Sequence, residues 1–215
     1  MLSGRMSLIL HHHPFSRAAG VVWPLEELGR EYELRYVDLM AGEHKQPEFK
    51  KVNPMGKLPT LVDGELVLTE TAAITLYLGD RYGLGELAPA TDDPARGTYL
   101  RWAFYAPSVI EPGCMAHAAK WDYRPQSAGW GTYEEMLDTI EAAIGEGPYL
   151  LGERFTMADV IFGGTVGWMV MFGMLDKRPA FTAYHERLNA RPAKQRADAI
   201  NAKIIADRGL ERPGA

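Results

Sequence analysis

Lys57-Leu58-Pro59 is the first of three short segments whose residue types could do chemistry. It lies between a predicted turn at residues 53–56 and a predicted strand. A proline at the start of a strand can be trans and have no further role, or it can be cis. A cis bond would present the backbone N–H and C=O of Leu58 to a ligand, and a peptide could then join the sheet edge as an added strand. The local residues leave both interpretations open.

Glu70-Thr71 is the second segment, and it opens a predicted helix directly after a predicted hairpin. Backbone N–H groups at the start of a helix bind carboxylates well. Thr71 adds a hydroxyl, and Glu70 could pair with an ammonium group. A simple helix cap explains the same two residues, so the local sequence again leaves two interpretations.

Ser16 and the histidines before it form the third segment, His11-His12-His13 followed by Pro14-Phe15-Ser16. Successive residues of an extended chain point to opposite sides, so the three histidines cannot converge on one metal ion. The other histidines stand apart at positions 44, 117 and 185, and we therefore expect no metal site. Ser16 is predicted as a helix N-cap. The chain has no Gly-x-Ser-x-Gly elbow, so a triad hydrolase is not supported.

The secondary structure predicted around these segments divides the chain into two regions of different fold class. Helices are predicted at residues 16–28 and 71–82, a loop at 41–46, and strands at 7–11, 32–38, 60–62 and 65–69. Asp63-Gly64 is a strong signal for a hairpin loop between the last two strands. The order β-α-β then β-β-α indicates a small mixed sheet. After about Leu87 only helical patterns follow, at residues 95–120, 132–145, 157–175 and 178–190.

Composition excludes several classes of protein. The net charge of −5 is not concentrated in either half, and no basic field indicates nucleic-acid binding. The uncharged run 160–175 is shorter than the roughly 20 residues of a membrane span. We expect it to be a buried helix in which Gly163 and Gly167 let neighbouring helices approach. The apolar run 8–10 is too short for a signal-peptide core, and the single cysteine, Cys114, fits a reducing cytoplasm.

Five segments of the chain resemble motifs of the cytosolic glutathione S-transferases. Asn53-Pro-Met-Gly-Lys-Leu-Pro-Thr-Leu61 and Glu70-Thr-Ala-Ala-Ile74 resemble the family's Asn-Pro-x-Gly-x-(Val/Ile/Leu)-Pro-x-Leu and Glu-(Ser/Thr)-x-Ala-Ile. The stretch from Ser16 to Gly29 resembles the first helix of bacterial serine-type members. Tyr149-Leu-Leu-Gly-Glu-Arg-Phe-Thr-Met-Ala-Asp159 and Arg191-Pro-Ala193 resemble motifs of the helical half. The resemblance covers about residues 7–195.

The resemblance implies an α/β plus all-α fold, usually assembled as a homodimer. It implies a thioredoxin-like glutathione-binding domain at residues 1–85, a linker at 86–94 and an all-helical substrate-binding domain at 95–215. The implied enzyme is a glutathione transferase that activates the glutathione thiol as a thiolate for attack on a small hydrophobic electrophile, without a metal and in a detoxification role. Nucleic-acid and membrane partners are not implied.

The resemblance also implies site residues. Pro59 would be cis, the backbone of Leu58 would pair with the cysteinyl backbone of glutathione, and Ser16 would face the thiol. The γ-glutamyl end would be held by Glu70 and Thr71, and the glycyl carboxylate would lie near His44, Lys45 and Lys57. Trp102 and Tyr105 are candidates for the wall of the electrophile site and are equally good core residues.

The sequence departs from the family pattern in its first helix. Gly20 replaces a common arginine and Pro24 an aliphatic residue, and both residues weaken or kink a helix. His13-Pro14-Phe15 also resembles a motif of other branches that would place His13 at the thiol. We favour Ser16, because its spacing to Gly29 fits the serine-type pattern without a gap. A loop without cysteine disfavours a glutaredoxin-like mechanism. A non-enzymatic ligand-binding protein and a glutathione-dependent isomerase or peroxidase are the alternatives.

Overall fold

A four-stranded mixed sheet forms the first part of the protein. The computed structural model describes residues 8–145 and 147–211. Its strands are β1 (Leu8–His12), β2 (Tyr32–Tyr36), β3 (Thr60–Asp63) and β4 (Leu66–Thr69), in the spatial order β2-β1-β3-β4. β1 and β2 are parallel, whereas β1–β3 and β3–β4 are antiparallel. The predicted thioredoxin-like mixed sheet is confirmed.

The hairpin between β3 and β4 is shifted by one residue from its prediction. Asp63 pairs with Leu66, so Asp63 is the last residue of β3 and the two-residue loop is Gly64-Glu65. Gly64 has φ of 61°. Glycine adopts this left-handed conformation without steric cost, which explains its place at the first position of the loop.

Helix α1 (Ala18–Leu28) begins two residues later than predicted. Ser16, predicted as the N-cap, lies one residue before that position, which Arg17 occupies without a side-chain cap; Ser16 Oγ instead accepts from the N–H of Ala18 at 3.1 Å. The predicted end is confirmed: Gly29 has φ of 61° and its N–H donates to the carbonyl of Glu26. Pro24 lies inside α1 without ending it, although it lacks the N–H that would bond the carbonyl of Gly20.

The other connections of the sheet are partly as predicted. Helix α3 (Thr71–Tyr82) has the predicted bounds. The polar stretch predicted as a loop contains a turn of 3-10 helix, Glu43–Lys45, and helix α2 (Pro47–Lys50) follows it. Pro47 at the first position of α2 favours this short helix, because its missing N–H has no partner there in any helix.

Helices make up the second part, as predicted, but the helix predicted at 95–120 is divided and the one predicted at 157–175 ends at Met171. They are α4 (Arg96–Tyr105), α5 (Glu111–Ala118), α6 (Tyr133–Ile144), α7 (Met157–Met171) and α8 (Pro179–Asn189). A π-helical segment, Ala106–Ile110, joins α4 to α5 without a break. Pro107 lies in this segment and cannot donate a backbone hydrogen bond, which accounts for the local irregularity.

Helix α7 is largely buried and begins at the predicted residue, with a capping box formed by Thr156 and Asp159. Asp159 Oδ2 accepts from the N–H of Thr156 at 2.9 Å, and Asp159 Oδ1 accepts from the N–H of Leu150 at 2.8 Å. A Cβ atom on Gly163 would collide with Leu188, and one on Gly167 would collide with His185. Both glycines therefore allow close helix approach, as predicted. No helix in the described part of the chain has the length and apolar character needed to cross a membrane.

Helix α9 (Pro192–Arg208) is grouped with the sheet rather than with the other long helices. One compact unit comprises the chain up to Tyr77 together with the chain from Pro192, and the other comprises Leu78–Arg191. Within the first unit α9 packs on α1, and Arg196 Nε donates to Glu26 Oε2 at 2.7 Å. The domain boundaries from the sequence stay a prediction, and the compact units divide the chain differently.

Candidate ligand site at one edge of the sheet

The strand register brings four of the predicted site segments to one edge of the sheet. His12 pairs with Tyr36, and His11 pairs with Thr60, which in turn pairs with Thr69. The chain leaves β1 and β2 at this edge, enters β3 there, and leaves β4 there. The loop containing Ser16 follows β1, and the chain that leads to the His44 turn follows β2. The Leu58-Pro59 bond directly precedes β3, and the Glu70-Thr71 pair directly follows β4.

Ser16 is fixed by the backbone around it. Its Oγ donates to the carbonyl of His13 at 2.8 Å and accepts from the N–H of Ala18 at 3.1 Å. The side chain is half-buried and lies at the start of α1, where backbone N–H groups lack helical partners. A hydroxyl rotates freely about its C–O bond, so Ser16 can redirect its hydrogen from His13 to a bound anion.

His13 has no exposed surface. Its Nδ1 accepts from the N–H of Phe15 at 3.1 Å, which places the proton of the neutral ring on Nε2. Burial is the main cause that lowers the pKa of His13, and the charge of Arg208 acts in the same direction. The buried ring supports the loop, and the half-buried Ser16 is the better placed of the two to meet a ligand.

Lys45 ties the 3-10 turn to the segment before Leu58. Its Nζ donates to the carbonyl of Gly56 at 2.7 Å and to that of Met55 at 3.2 Å. Gly56 has φ of 57°, and a Cβ atom there would collide with the carbonyl of His44. This close approach therefore requires glycine. Two of the three predicted basic residues, His44 and Lys45, are thus held beside the turn that precedes Lys57.

The two remaining basic groups of this corner differ in exposure. Lys57 is exposed, whereas His44 is half-buried and its Nδ1 has no hydrogen-bond partner in the described chain. Burial, followed by the nearby charge of Lys45, lowers the pKa of His44. The lowered pKa favours the neutral form of His44, and Lys57 contributes an exposed positive charge.

The peptide bond between Leu58 and Pro59 is cis. The side chain of Leu58 is buried in a cluster with Ala18, Val37 and Phe49. Ala18 is the first residue of α1, so this cluster packs the Leu58 segment directly beneath the Ser16 loop. The backbone of Leu58 and the hydroxyl of Ser16 therefore belong to one packed corner of the sheet unit.

Glu70 adopts a conformation that is uncommon for a residue with a side chain. Its φ is 67°, and its carbonyl accepts from the N–H of Ile74 at 2.9 Å at the start of α3. Such left-handed residues cost of order 1–3 kcal/mol and cluster at functional sites. Glu70 is exposed and Thr71 half-buried, so the carboxylate, the hydroxyl and the first N–H groups of α3 lie together.

Trp102 and Tyr105 lie on α4, in the helical unit. Their rings are 5.4 Å apart, and the ring of Trp102 is 5.7 Å from that of Phe162. Trp102 is 7% exposed and borders a cavity of about 460 Å³ together with Thr139 and Ala142. These contacts make Trp102 mainly a core residue. Its role beside an electrophile, like that of Tyr105, stays a prediction.

Two asparagines of the sheet unit were missed by sequence reasoning. The buried Asn53 donates through Nδ2 to the carbonyl of Lys57 at 2.8 Å and accepts through Oδ1 from the N–H of Met55 at 3.0 Å. An asparagine before proline in the turn motif was the available signal. Asn201 bonds His12, and nothing in the local pattern of α9 marks it. Among the described residues no group of three or more metal-binding side chains occurs.

Comparisons with known proteins agree on one family. The model described as "Glutathione S-transferase, N-terminal domain" matches residues 6–80, and "Glutathione S-transferase, C-terminal domain" matches residues 116–187. Glutathione S-transferase 3 of Zea mays is 32% identical over 188 residues, which are 80% of this chain and 84% of that protein. Human glutathione S-transferase theta-2 is 31% identical over 74% of this chain and 70% of its own length.

Solved structures give the same result for the fold. A glutathione transferase from Phanerochaete chrysosporium, crystallised with oxidized glutathione, has a TM-score of 0.74 and 26% identity, with 95% of this chain and 99% of that chain covered. A homologue from sulfitobacter with bound glutathione has a TM-score of 0.69 and 26% identity, with 96% and 100% covered.

Proposed function

This chain belongs to the glutathione S-transferase family, and we propose that it binds glutathione at the edge of its sheet and lowers the pKa of the glutathione thiol. The thiolate then attacks a small hydrophobic electrophile. The observation that carries this proposal is the strand register, because it gathers Ser16, Leu58 and Glu70-Thr71 at one edge. The enzyme is a transferase of alkyl or aryl groups, and its proposed role is detoxification.

Each part of glutathione has a chemically matched partner in this proposal. The backbone N–H and C=O of Leu58 pair with the cysteinyl backbone in the manner of an added strand. The γ-glutamyl ammonium meets the carboxylate of Glu70, and its carboxylate meets Thr71 and the N-terminus of α3. The glycyl carboxylate lies near His44, Lys45 and Lys57, where positive charge and N–H donors strengthen its binding.

The hydroxyl of Ser16 is proposed to donate a hydrogen bond to the thiolate. A hydrogen bond to a charged group is worth about 1.5–3 kcal/mol, and the bond to the His13 carbonyl that Ser16 gives up is worth about 0.5–1.5 kcal/mol. The N-terminus of α1 adds about 0.3–1 kcal/mol. At about 1.36 kcal/mol per pKa unit, the net effect lowers the thiol pKa by about 1–2 units from its usual value of about 8.5.

The burial of His13 supports Ser16 as the thiol-facing residue, and with it the serine-type assignment. A ring with no exposed surface reaches a bound thiol only if the loop rearranges, whereas the Ser16 hydroxyl needs only to rotate. His13 then acts through its carbonyl and its bond to Phe15, both of which shape the loop around Ser16.

Calorimetry with glutathione, followed by turnover with a panel of aryl halides, epoxides and unsaturated carbonyl compounds, tests the proposal. We expect binding in the micromolar to millimolar range and conjugation of at least one class. The absence of binding at millimolar glutathione would contradict the proposal. Binding without any conjugation would support the ligand-binding alternative, and turnover of hydroperoxides or isomerisable substrates alone would support the peroxidase or isomerase alternative.

A homodimer in a reducing cytoplasm completes the proposal. The apolar side chains of Phe104 and Met115 in the helical unit are 57% and 46% exposed, which favours a partner surface. Cys114 is buried, and burial raises its pKa to about 12, so its thiol is inert. Sedimentation equilibrium tests the assembly: a dimer mass is expected, and a monomer mass at high protein concentration would contradict it.

A further inference from the structure

Asn201 of α9 forms hydrogen bonds on both sides of the loop that carries Ser16. Its Oδ1 accepts from His12 Nε2 at 2.8 Å. Its Nδ2 donates to the carbonyl of Ala19 at 3.2 Å and to that of Ala197, within α9, at 3.0 Å. His12 is the last residue of β1 and Ala19 is the second residue of α1, so the two partners outside α9 are the two ends of the Ser16 loop.

The orientation of the Asn201 amide follows from its partners. Two carbonyl oxygens require the NH₂ group, which leaves Oδ1 for His12 and requires the His12 proton on Nε2. His12 has no exposed surface, and burial lowers its pKa to about 4. The ring is therefore neutral at ordinary pH, and the hydrogen bond to Asn201 persists there.

The end of β1 and the first turn of α1, which Asn201 joins, are each held by further backbone hydrogen bonds. The carbonyl of His12 accepts from the N–H of Val37 at 2.9 Å, which continues the β1–β2 pairing. The N–H of Ala19 donates to the carbonyl of Ser16 at 3.1 Å. A movement of the first turn of α1 away from β1 would thus break a bond of Asn201 and shift Ser16 at the same time.

We propose that Asn201 is a positioning residue for the glutathione thiol site, because its amide holds the end of β1 and the first turn of α1 at the separation that places the Ser16 hydroxyl. The inference rests on the proposed function and extends it to a residue of the C-terminal helix. Asn201 touches neither glutathione nor the electrophile in this account, and it acts through Ser16.

A purely structural role for Asn201 makes a different prediction. If Asn201 only attached α9 to the sheet unit, its removal would lower stability and leave the chemistry of bound glutathione unchanged. Arg196 provides the matched control, since it also joins α9 to α1, through Glu26 Oε2 at 2.7 Å and the Glu26 carbonyl at 3.0 Å. Glu26 lies near the opposite end of α1 from Ser16.

The experiment compares the wild-type protein with Asn201→Leu and Arg196→Ala, and repeats Asn201→Leu in the Ser16→Ala background. The pKa of bound glutathione is measured from the ultraviolet absorbance of the thiolate, and the melting temperature is recorded for each protein. Leucine keeps the branched shape and the number of heavy atoms of the asparagine side chain and adds no charge, so the substitution places no new charge near the thiol.

We expect Asn201→Leu to raise the pKa of the bound thiol by about half a unit to one unit, because a misplaced Ser16 loses most of its hydrogen bond to the charged thiolate. At pH values below that pKa, kcat/KM should therefore fall roughly three- to tenfold. Arg196→Ala should lower the melting temperature without this shift. In the Ser16→Ala background Asn201→Leu should cause no further rise, since the hydroxyl that it positions is absent.

An unchanged thiol pKa in Asn201→Leu, or an equal rise in the presence and absence of the Ser16 hydroxyl, would overturn the inference. If Asn201→Leu fails to fold, Asn201→Ala provides the same comparison without the greater bulk of leucine. Failure of the proposed function is distinguishable from failure of this inference. If the proposed function were wrong, the wild-type protein itself would show no bound thiolate.

Discussion

Replacing Ser16 by alanine removes the hydroxyl that is proposed to face the glutathione thiol. The lost thiolate hydrogen bond is worth about 1.5–3 kcal/mol, and the wild-type hydroxyl first gives up a bond to the His13 carbonyl worth about 0.5–1.5 kcal/mol. The net loss is about 1–1.5 kcal/mol, so the pKa of bound glutathione should rise by about one unit. The N–H of Ala18 also loses its acceptor, but it lies at a helix start where water can replace it.

The assay is the pH profile of kcat/KM with an excess of a model electrophile. Below both thiol pKa values the variant should be roughly tenfold slower, because about tenfold less thiolate is present. At pH values well above both, the two profiles should converge. Ser16→Thr keeps a hydroxyl and should retain most of the activity.

Ser108→Ala is the matched control for this substitution. Ser108 also donates its hydroxyl to a backbone carbonyl, that of Phe104 at 2.6 Å, but it lies in the helical unit. We expect no shift of its pH profile. A Ser16→Ala profile that coincides with the wild type, or a loss of rate that is equal at every pH, would refute the reasoning, because neither outcome follows from a changed thiol pKa.

Three further predictions concern stability and binding. Burial lowers the pKa of His12 from 6.5 to about 4, so between these pH values the unfolded chain binds more protons than the folded protein. The free energy of unfolding should therefore fall by about 3 kcal/mol as the pH drops from 6.5 to 4. His12→Gln should flatten that slope in denaturant titrations, and an unchanged slope would contradict the assignment. Asp159→Asn should cost roughly 3 kcal/mol of unfolding free energy, since the buried carboxylate accepts from Leu150, Thr156 and Tyr184. Glu135→Gln, in the exposed capping box of α6, should cost less, and equal losses would refute the importance of burial. Lys45→Met should weaken glutathione binding roughly tenfold in calorimetry, because the turn before Leu58 loses the charged donor that ties it to the 3-10 helix. Lys51→Met, at an exposed lysine after α2, should leave binding unchanged, and an equal loss would indicate a general charge effect.

Local patterns were sufficient to predict much of the fold. Alternation, the hairpin signal and the helical spacing of residues 71–82 gave the mixed sheet and the bounds of α3. The C-terminal end of α1, before Gly29, and the start of α7, after Thr156, followed from local residues, since caps depend on residues within one turn. Features that depend on contacts between neighbouring residues were therefore accessible from the sequence.

Features that depend on distant contacts or on competing local bonds were not predicted. Ser16 bonds back to His13 as well as forward to Ala18, so it belongs to a turn and the helix starts later. Helix α9 joins the sheet unit through contacts such as that of Asn201 with His12, residues 189 positions apart. No periodic pattern contains that information. The sequence motifs identified the candidate site residues, and the strand register explains why these residues lie together at one edge of the sheet.

The pKa of the glutathione thiol on the protein tests the central claim most directly. Titration of the thiolate absorbance with the protein saturated by glutathione gives this value, and a parallel titration of free glutathione gives its reference. We predict a bound-thiol pKa about 1–2 units below the free value of about 8.5, so that thiolate is abundant at neutral pH. Glutathione that binds with an unchanged thiol pKa would contradict it.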